Sequence, residues 1–128
     1  MSTEDGGAAG FRLPRASRIA RSAEIRSLFQ RGKRRRTRHL DAFISTSPAA
    51  FSRLGVVVPK HRKRIVDRNL VRRRLRELGR TTLLPALRNH ELRLDVMLRA
   101  RPEAYGATFP ELEAEVLSLA EELCSRAR

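Results

Sequence analysis

Cysteine is nearly absent from this chain. Cys124 stands alone among 128 residues, so no intramolecular disulfide can form and a reducing compartment is expected. Long apolar runs are missing as well, and none approaches the roughly 18 residues that a membrane span requires. The opening stretch MSTEDGGAAG lacks the apolar segment of a secretory signal, so the expected location is cytoplasmic, with no membrane partner. His39, His61, His90 and Cys124 fall at no spacing that suits a metal ion, and no metal site is expected. Neither a glycine-rich phosphate loop nor a nucleophile motif occurs, so no catalytic residue is expected. Acid is in short supply: 14 Asp and Glu face 28 Lys and Arg, for a formal net charge of +14. Such an excess repels itself and points to a polyanionic partner, nucleic acid first and an anionic membrane surface second.

What is present is material for one core and two blocks of positive charge. Apolar residues make up 41% of the chain, enough for a single modest core and too many for a disordered basic tail. Residues 12–38 hold eleven Arg or Lys against one acid, and residues 60–80 hold ten against two. Residues 81–128 hold six against eight acids. A general preference for arginine raises its content everywhere but does not gather it into two blocks.

Periodicity supplies the elements. SAEIRSLFQRG predicts a helix capped by Ser22, striped by Ile25, Leu28 and Phe29, and ended by Gly32. KRRRTR, at 33–38, reads as a basic connector or a poorly patterned first strand. LDAFISTS alternates, with Leu40, Ala42 and Ile44 on one face and Asp41, Phe43 and Ser45 on the other. Phe43 therefore stands on what reads as the polar face, either as a platform on which a base can stack or as an edge of core covered by a loop. LGVVVP is a compact strand ended by Pro59, and ELRLDVMLRA is the clearest alternating strand. Between them, Asp67 is expected to cap a helix running to about Leu78, with Gly79 past its end and Pro85 near the start of a second piece. TFPELEAEVLSLAEEL opens on a capping box of Thr108 and Glu111 and carries the stripe Leu112, Val116, Leu119 and Leu123. The order predicts a single-domain α+β fold, helices packed against one sheet.

The segment DRNLVRRRLRELGR, at 67–80, carries six arginines. On a helix, Arg68, Asn69, Arg72, Arg73, Arg76 and Arg80 fall within an arc of about 140°, opposite Leu70, Val71, Leu75 and Leu78. Arg74 alone falls among the apolar set, where its stem can carry the charge out to water. An ordinary solvated face mixes signs, because like charges at (i, i+4) destabilise a helix. Arg68, Arg72 and Arg76 are such a like-charge row, suited to phosphate oxygens.

RNLVRRRLRE, at 68–77, resembles the RNxxRRxxRE signature of the protein subunit of bacterial ribonuclease P. RIARSAEIRSLFQRG is similar to that family's first helix, RLGVVVPK to its central strand, and DVMLRARP to its last strand and the loop after it. The resemblance implies an α/β sandwich of about four strands and three helices, with a left-handed βαβ crossover like that of a ribosomal-protein domain. It implies a domain over 15–124, after a disordered lead-in at 1–14 and before a short tail at 125–128. It also implies a role in the holoenzyme that removes the 5′ leader of precursor tRNA. The RNA subunit would hold the catalytic Mg²⁺, with no cofactor on the protein alone, and would pair with the protein 1:1. Arg68, Asn69, Arg72, Arg73 and Arg76 would contact that RNA, while Ile25, Phe29, Phe43 and Lys60 would hold the leader, with Arg26 or Arg31 as further phosphate neighbours. Two departures stand out: Ile25 replaces a common aromatic, and KHRKR has His61 for a usual lysine and Lys63 for a usual glycine. The competing readings are a general RNA-binding or ribosomal protein, and a basic helix on a membrane surface; the second lacks exposed aromatic anchors.

Overall fold

The structure, a computed structural model, describes residues 13–126. Most of the expected lead-in and the last two residues of the expected tail lie outside the described residues. Leu13 is already buried in the core, and the final helix continues through Arg126.

Helix α1 spans Ser22–Arg31. Arg21 occupies the N-cap position without a side-chain cap, so Ser22 is the first helical residue rather than the cap. Gly32 does end the helix, its N–H donating to the Leu28 carbonyl at 2.9 Å. A Cβ there would stand 2.6 Å from that oxygen, which only glycine avoids. The basic run that follows is strand β1, Lys33–Arg36, and then come β2, Leu40–Thr46, and β3, Arg53–Val57. With β4, Leu94–Ala100, they form one mixed sheet in the order β1-β2-β4-β3. β1 and β4 both pair antiparallel with β2, whereas β3 and β4 are parallel.

Parallel neighbours need a crossover, and a helical one supplies it here. It consists of α2, Ile65–Leu78, a π-helical turn at Gly79–Leu83, and α3, Leu84–Asn89. Two sequence expectations are corrected at its ends. Arg64, not Asp67, is the N-cap; Asp67 lies inside the first turn, where its carboxylate suits the helix dipole and accepts a 3.1 Å bond from Arg64. Gly79 does not stop the helix but continues it at φ −62°. Its role is close approach, since a Cβ would fall 2.2 Å from the Leu54 Cδ2 atom. Helix α4, Phe109–Arg126, begins with the predicted capping box: Thr108 N–H donates to Glu111 at 2.8 Å and Glu111 N–H to Thr108 Oγ1 at 3.2 Å.

The sheet buries both faces. Leu40, Ala42, Leu54, Val96 and Leu98 pack with Val71, Leu75 and Leu78 of α2 and with Leu112 and Val116 of α4. On the reverse side Phe43 and Met97 pack with Ile19 and Leu28, and Ile25 and Phe29 border them. The supposed polar face of β2 is thus a second core, closed by α1. Its carboxylates are neutralised within the fold: Asp41 by Arg34 and Arg36, Asp95 by Arg53.

Candidate nucleic-acid interface

Val71, Leu75 and Leu78 fix which way α2 faces. Asn69, Arg73 and Arg76 are exposed in consequence, and Arg68 and Arg72 are half-buried. Leu70, expected on the core side, is instead exposed. Arg74 lies at the flank, with Nη1 3.4 Å from the Ala107 carbonyl oxygen. Arg72 donates to the Asn69 side-chain oxygen at 2.6 Å, which sets both side chains on one surface. The Arg68 Nε is buried without an acceptor, an arrangement that costs about 1–3 kcal/mol.

Arg76 reveals how crowded the charge is. Its side chain reaches water, yet partial burial foremost, and then the guanidiniums of Arg18 and Arg72, lower its pKa below the ordinary arginine value. Arg18 comes from the segment before α1, held by a 2.9 Å bond from its Nε to the Leu13 carbonyl and by a bridge to Leu54. Sequence reasoning missed Arg18 as a site residue. Its signal was membership of the first basic block, one residue of which the fold brings to the second.

The loop between β3 and α2 borders this face. His61 and Arg62 both take the left-handed conformation, at φ 46° and 61°. Each such non-glycine residue costs roughly 1–2 kcal/mol. Lys63, standing for the family's usual glycine, is not among the left-handed residues. Tyr105 pins the loop: its hydroxyl donates to the Pro59 carbonyl at 3.1 Å, and Lys63 Nζ lies 5.4 Å from its ring centre. Burial foremost raises the Tyr105 pKa, opposed by the charges of Arg68 and Arg72. Lys60 is exposed on the same loop.

The α1 side of the sheet gathers the other predicted residues. Phe29 and Phe43 meet edge to face with centroids 4.9 Å apart, and Ile25 borders the same cluster. Phe43 is only 6% exposed, so of the two readings of this ring the core contact is the one described, with most of its surface spent against α1 and the sheet. Two arginines absent from the sequence expectations cover these rings. The Arg34 guanidinium lies 5.7 Å from the centre of Phe43 and that of Arg99 5.6 Å from the centre of Phe29. Arg34 was illegible because its position depends on the β1–β2 register, which sets it opposite Phe43. Below them Arg53 grips Asp95 at 2.9 and 2.7 Å and reaches Glu24 of α1 at 2.8 Å, tying helix to sheet.

The histidines are dispersed. His39 pairs with Glu115, His61 Nε2 lies 3.3 Å from the Ala100 oxygen, and His90 Nδ1 lies 3.1 Å from the Ala86 oxygen. Among the described residues no three His, Cys, Asp or Glu side chains are grouped so as to hold a metal ion, and no helix is long and apolar enough to cross a membrane.

A family model described as Ribonuclease P matches residues 13–124. The ribonuclease P protein component of Acidothermus cellulolyticus is 35% identical over 107 residues, covering 80% of this chain and 84% of the relative. That of Kocuria rhizophila is 35% identical over 106 residues, covering 83% and 90%. Among solved structures, the Staphylococcus aureus RNase P protein aligns with a TM-score of 0.69 at 24% identity, covering 83% of this chain and 96% of that one. The Thermotoga maritima protein aligns at 0.67 and 20% identity, covering 82% and 96%. These structural likenesses show the fold.

Proposed function

The chain belongs to the bacterial ribonuclease P protein family, and from that premise we propose how its surfaces serve the ribonucleoprotein. It is a subunit of ribonuclease P, which processes tRNA 5′ ends, and a partner of the ribonuclease P RNA. The exposed arc of α2 meets phosphates of that RNA through Arg68, Arg72, Arg73 and Arg76, with Asn69 orienting Arg72 and Arg18 completing the cluster. The observation that carries this is the outward arc of α2, where exposed Arg73 and Arg76 and half-buried Arg68 and Arg72 stand opposite Val71, Leu75 and Leu78 in the core, a like-charge row whose repulsion a polyanion relieves.

The second surface receives the single-stranded 5′ leader of precursor tRNA. Half-buried Phe29 and Ile25 offer apolar contact there, Arg34 and Arg99 offer charge, and exposed Lys60 adds a further cation. Phe43 acts from beneath by holding Phe29 in place. The chemistry belongs to the RNA subunit and its Mg²⁺; the protein binds, orients and neutralises. The complex is 1:1 and cytoplasmic.

Salt titration tests the first surface. With about five arginines on phosphates, log K for the RNA subunit should fall against log [salt] with a slope of about −3.5 to −4.5. Arg72→Ala should reduce the magnitude of that slope by about one unit, and an unchanged slope would remove α2 from the interface.

A further inference from the structure

Three aliphatic residues of α2 are left in water by the fold: Ile65 is 64% exposed, Val66 67% and Leu70 38%. They lie in the first two turns of the helix. Val66 and Leu70 are (i, i+4) neighbours, and both fall with exposed Asn69 and Arg73 on the side away from Val71, Leu75 and Leu78. Arg62, Lys63 and Arg64 precede the patch and are exposed. The acid nearest in sequence, Asp67, is engaged by Arg64 at 3.1 Å. The result is an apolar spot set in a basic field.

The charge around it selects the occupant. A second copy of this chain would bring the same positive field against itself, and a lipid surface calls for aromatic anchors that the patch lacks. An RNA strand bound through phosphates at Arg72 and Arg73 carries apolar ribose and base faces a few ångströms away. In an A-form duplex those base faces are stacked and closed to side chains, whereas in bulges and junctions they are open. We infer that Ile65, Val66 and Leu70 seat an unstacked nucleobase and its ribose from a bulge or junction of the RNA subunit, beside the phosphates held by the arginines. This inference rests on the reading that α2 faces the RNA.

Counterion release separates the two kinds of contact. An arginine on a phosphate contributes to the salt slope, while an aliphatic side chain on a base contributes a term that salt leaves unchanged. The variant to make is Ile65→Ala/Val66→Ala/Leu70→Ala, because alanine is the stronger helix former and these side chains contribute little to the core. Binding to the cognate RNA-subunit transcript is measured across a salt series, beside the parent and Arg72→Ala, with a thermal melt to verify folding. Affinity should fall roughly tenfold, a figure equivalent to about 1.4 kcal/mol, at every salt concentration with the slope unchanged. An unchanged affinity, with Arg72→Ala still lowering the slope, would overturn the nucleobase seat and leave the phosphate row standing. A triple variant that lowers the slope would overturn it too, by showing the loss to be electrostatic. No effect from Arg72→Ala would remove the underlying reading instead. If sedimentation shows a parent dimer that the triple variant loses, with RNA affinity intact, the patch belongs to a second copy and the inference fails.

Discussion

At Phe43 the ring fills space that its neighbours cannot reclaim. It lies against Phe29 in one cluster with Ile19, Leu28 and Met97, all of them but Phe29 buried. Phe43→Ala should therefore cost about 3–5 kcal/mol of folding stability, read as a lower denaturant midpoint at unchanged slope. A variant as stable as the parent would return the ring to the solvent side. The strand and its alternation were legible from LDAFISTS, but the covering of that face was not, because α1 reaches it only through the tertiary fold. Asp41, on the same face, gives a pH prediction. Burial pushes its carboxyl up, yet the hydrogen bonds and charges of Arg34 and Arg36 together outweigh burial and hold it below the ordinary aspartate range. A group depressed on folding stabilises above its unfolded pKa and loses that contribution as pH falls through the folded value. Asp41→Asn should thus be destabilised at pH 7, and its deficit should shrink below about pH 4. A deficit independent of pH in chemical denaturation would show that charge is not what Asp41 supplies.

At the scale of elements, the polar attachment of α1 to the sheet, beside its apolar packing, runs through one half-buried guanidinium. Arg53 holds Asp95 of the neighbouring strand and Glu24 of the helix, and the Asp95 hydrogen bond foremost raises its pKa further above the ordinary arginine range. Arg53→Ala leaves Asp95 buried without its cation and should cost about 3–5 kcal/mol. Glu24→Ala removes only the outer arm. Hydrogen exchange should then speed up across α1 with the β4 amides unaffected; uniform acceleration would mean that the contact supports the whole fold. Helix ends sorted themselves by how local their causes are. The Thr108–Glu111 box was legible because both partners lie within four residues. Gly79 misled because a glycine needed for close approach to Leu54 looks, in sequence, like one that ends a helix. Asp67 misled because a first-turn acid and an N-cap share the same chemistry.

For the whole molecule, the first basic block reaches the second at Arg18, whose charge acts on Arg76 together with that of Arg72. The α2 row was legible from six arginines at helical spacing, but its partners Arg18, Arg34 and Arg99 required the register of the sheet and the path of the segment before α1. A field of this kind lowers the Mg²⁺ that a folded RNA needs to hold its substrate, since fixed cations do part of the work of mobile ones. The measurement that meets the central claim most directly is cleavage of a precursor tRNA by the cognate RNA subunit at low Mg²⁺, with and without this protein. Stimulation by the parent that disappears in Arg68→Ala/Arg72→Ala is the predicted result. Absence of stimulation by the parent, with RNA binding intact, would contradict the account.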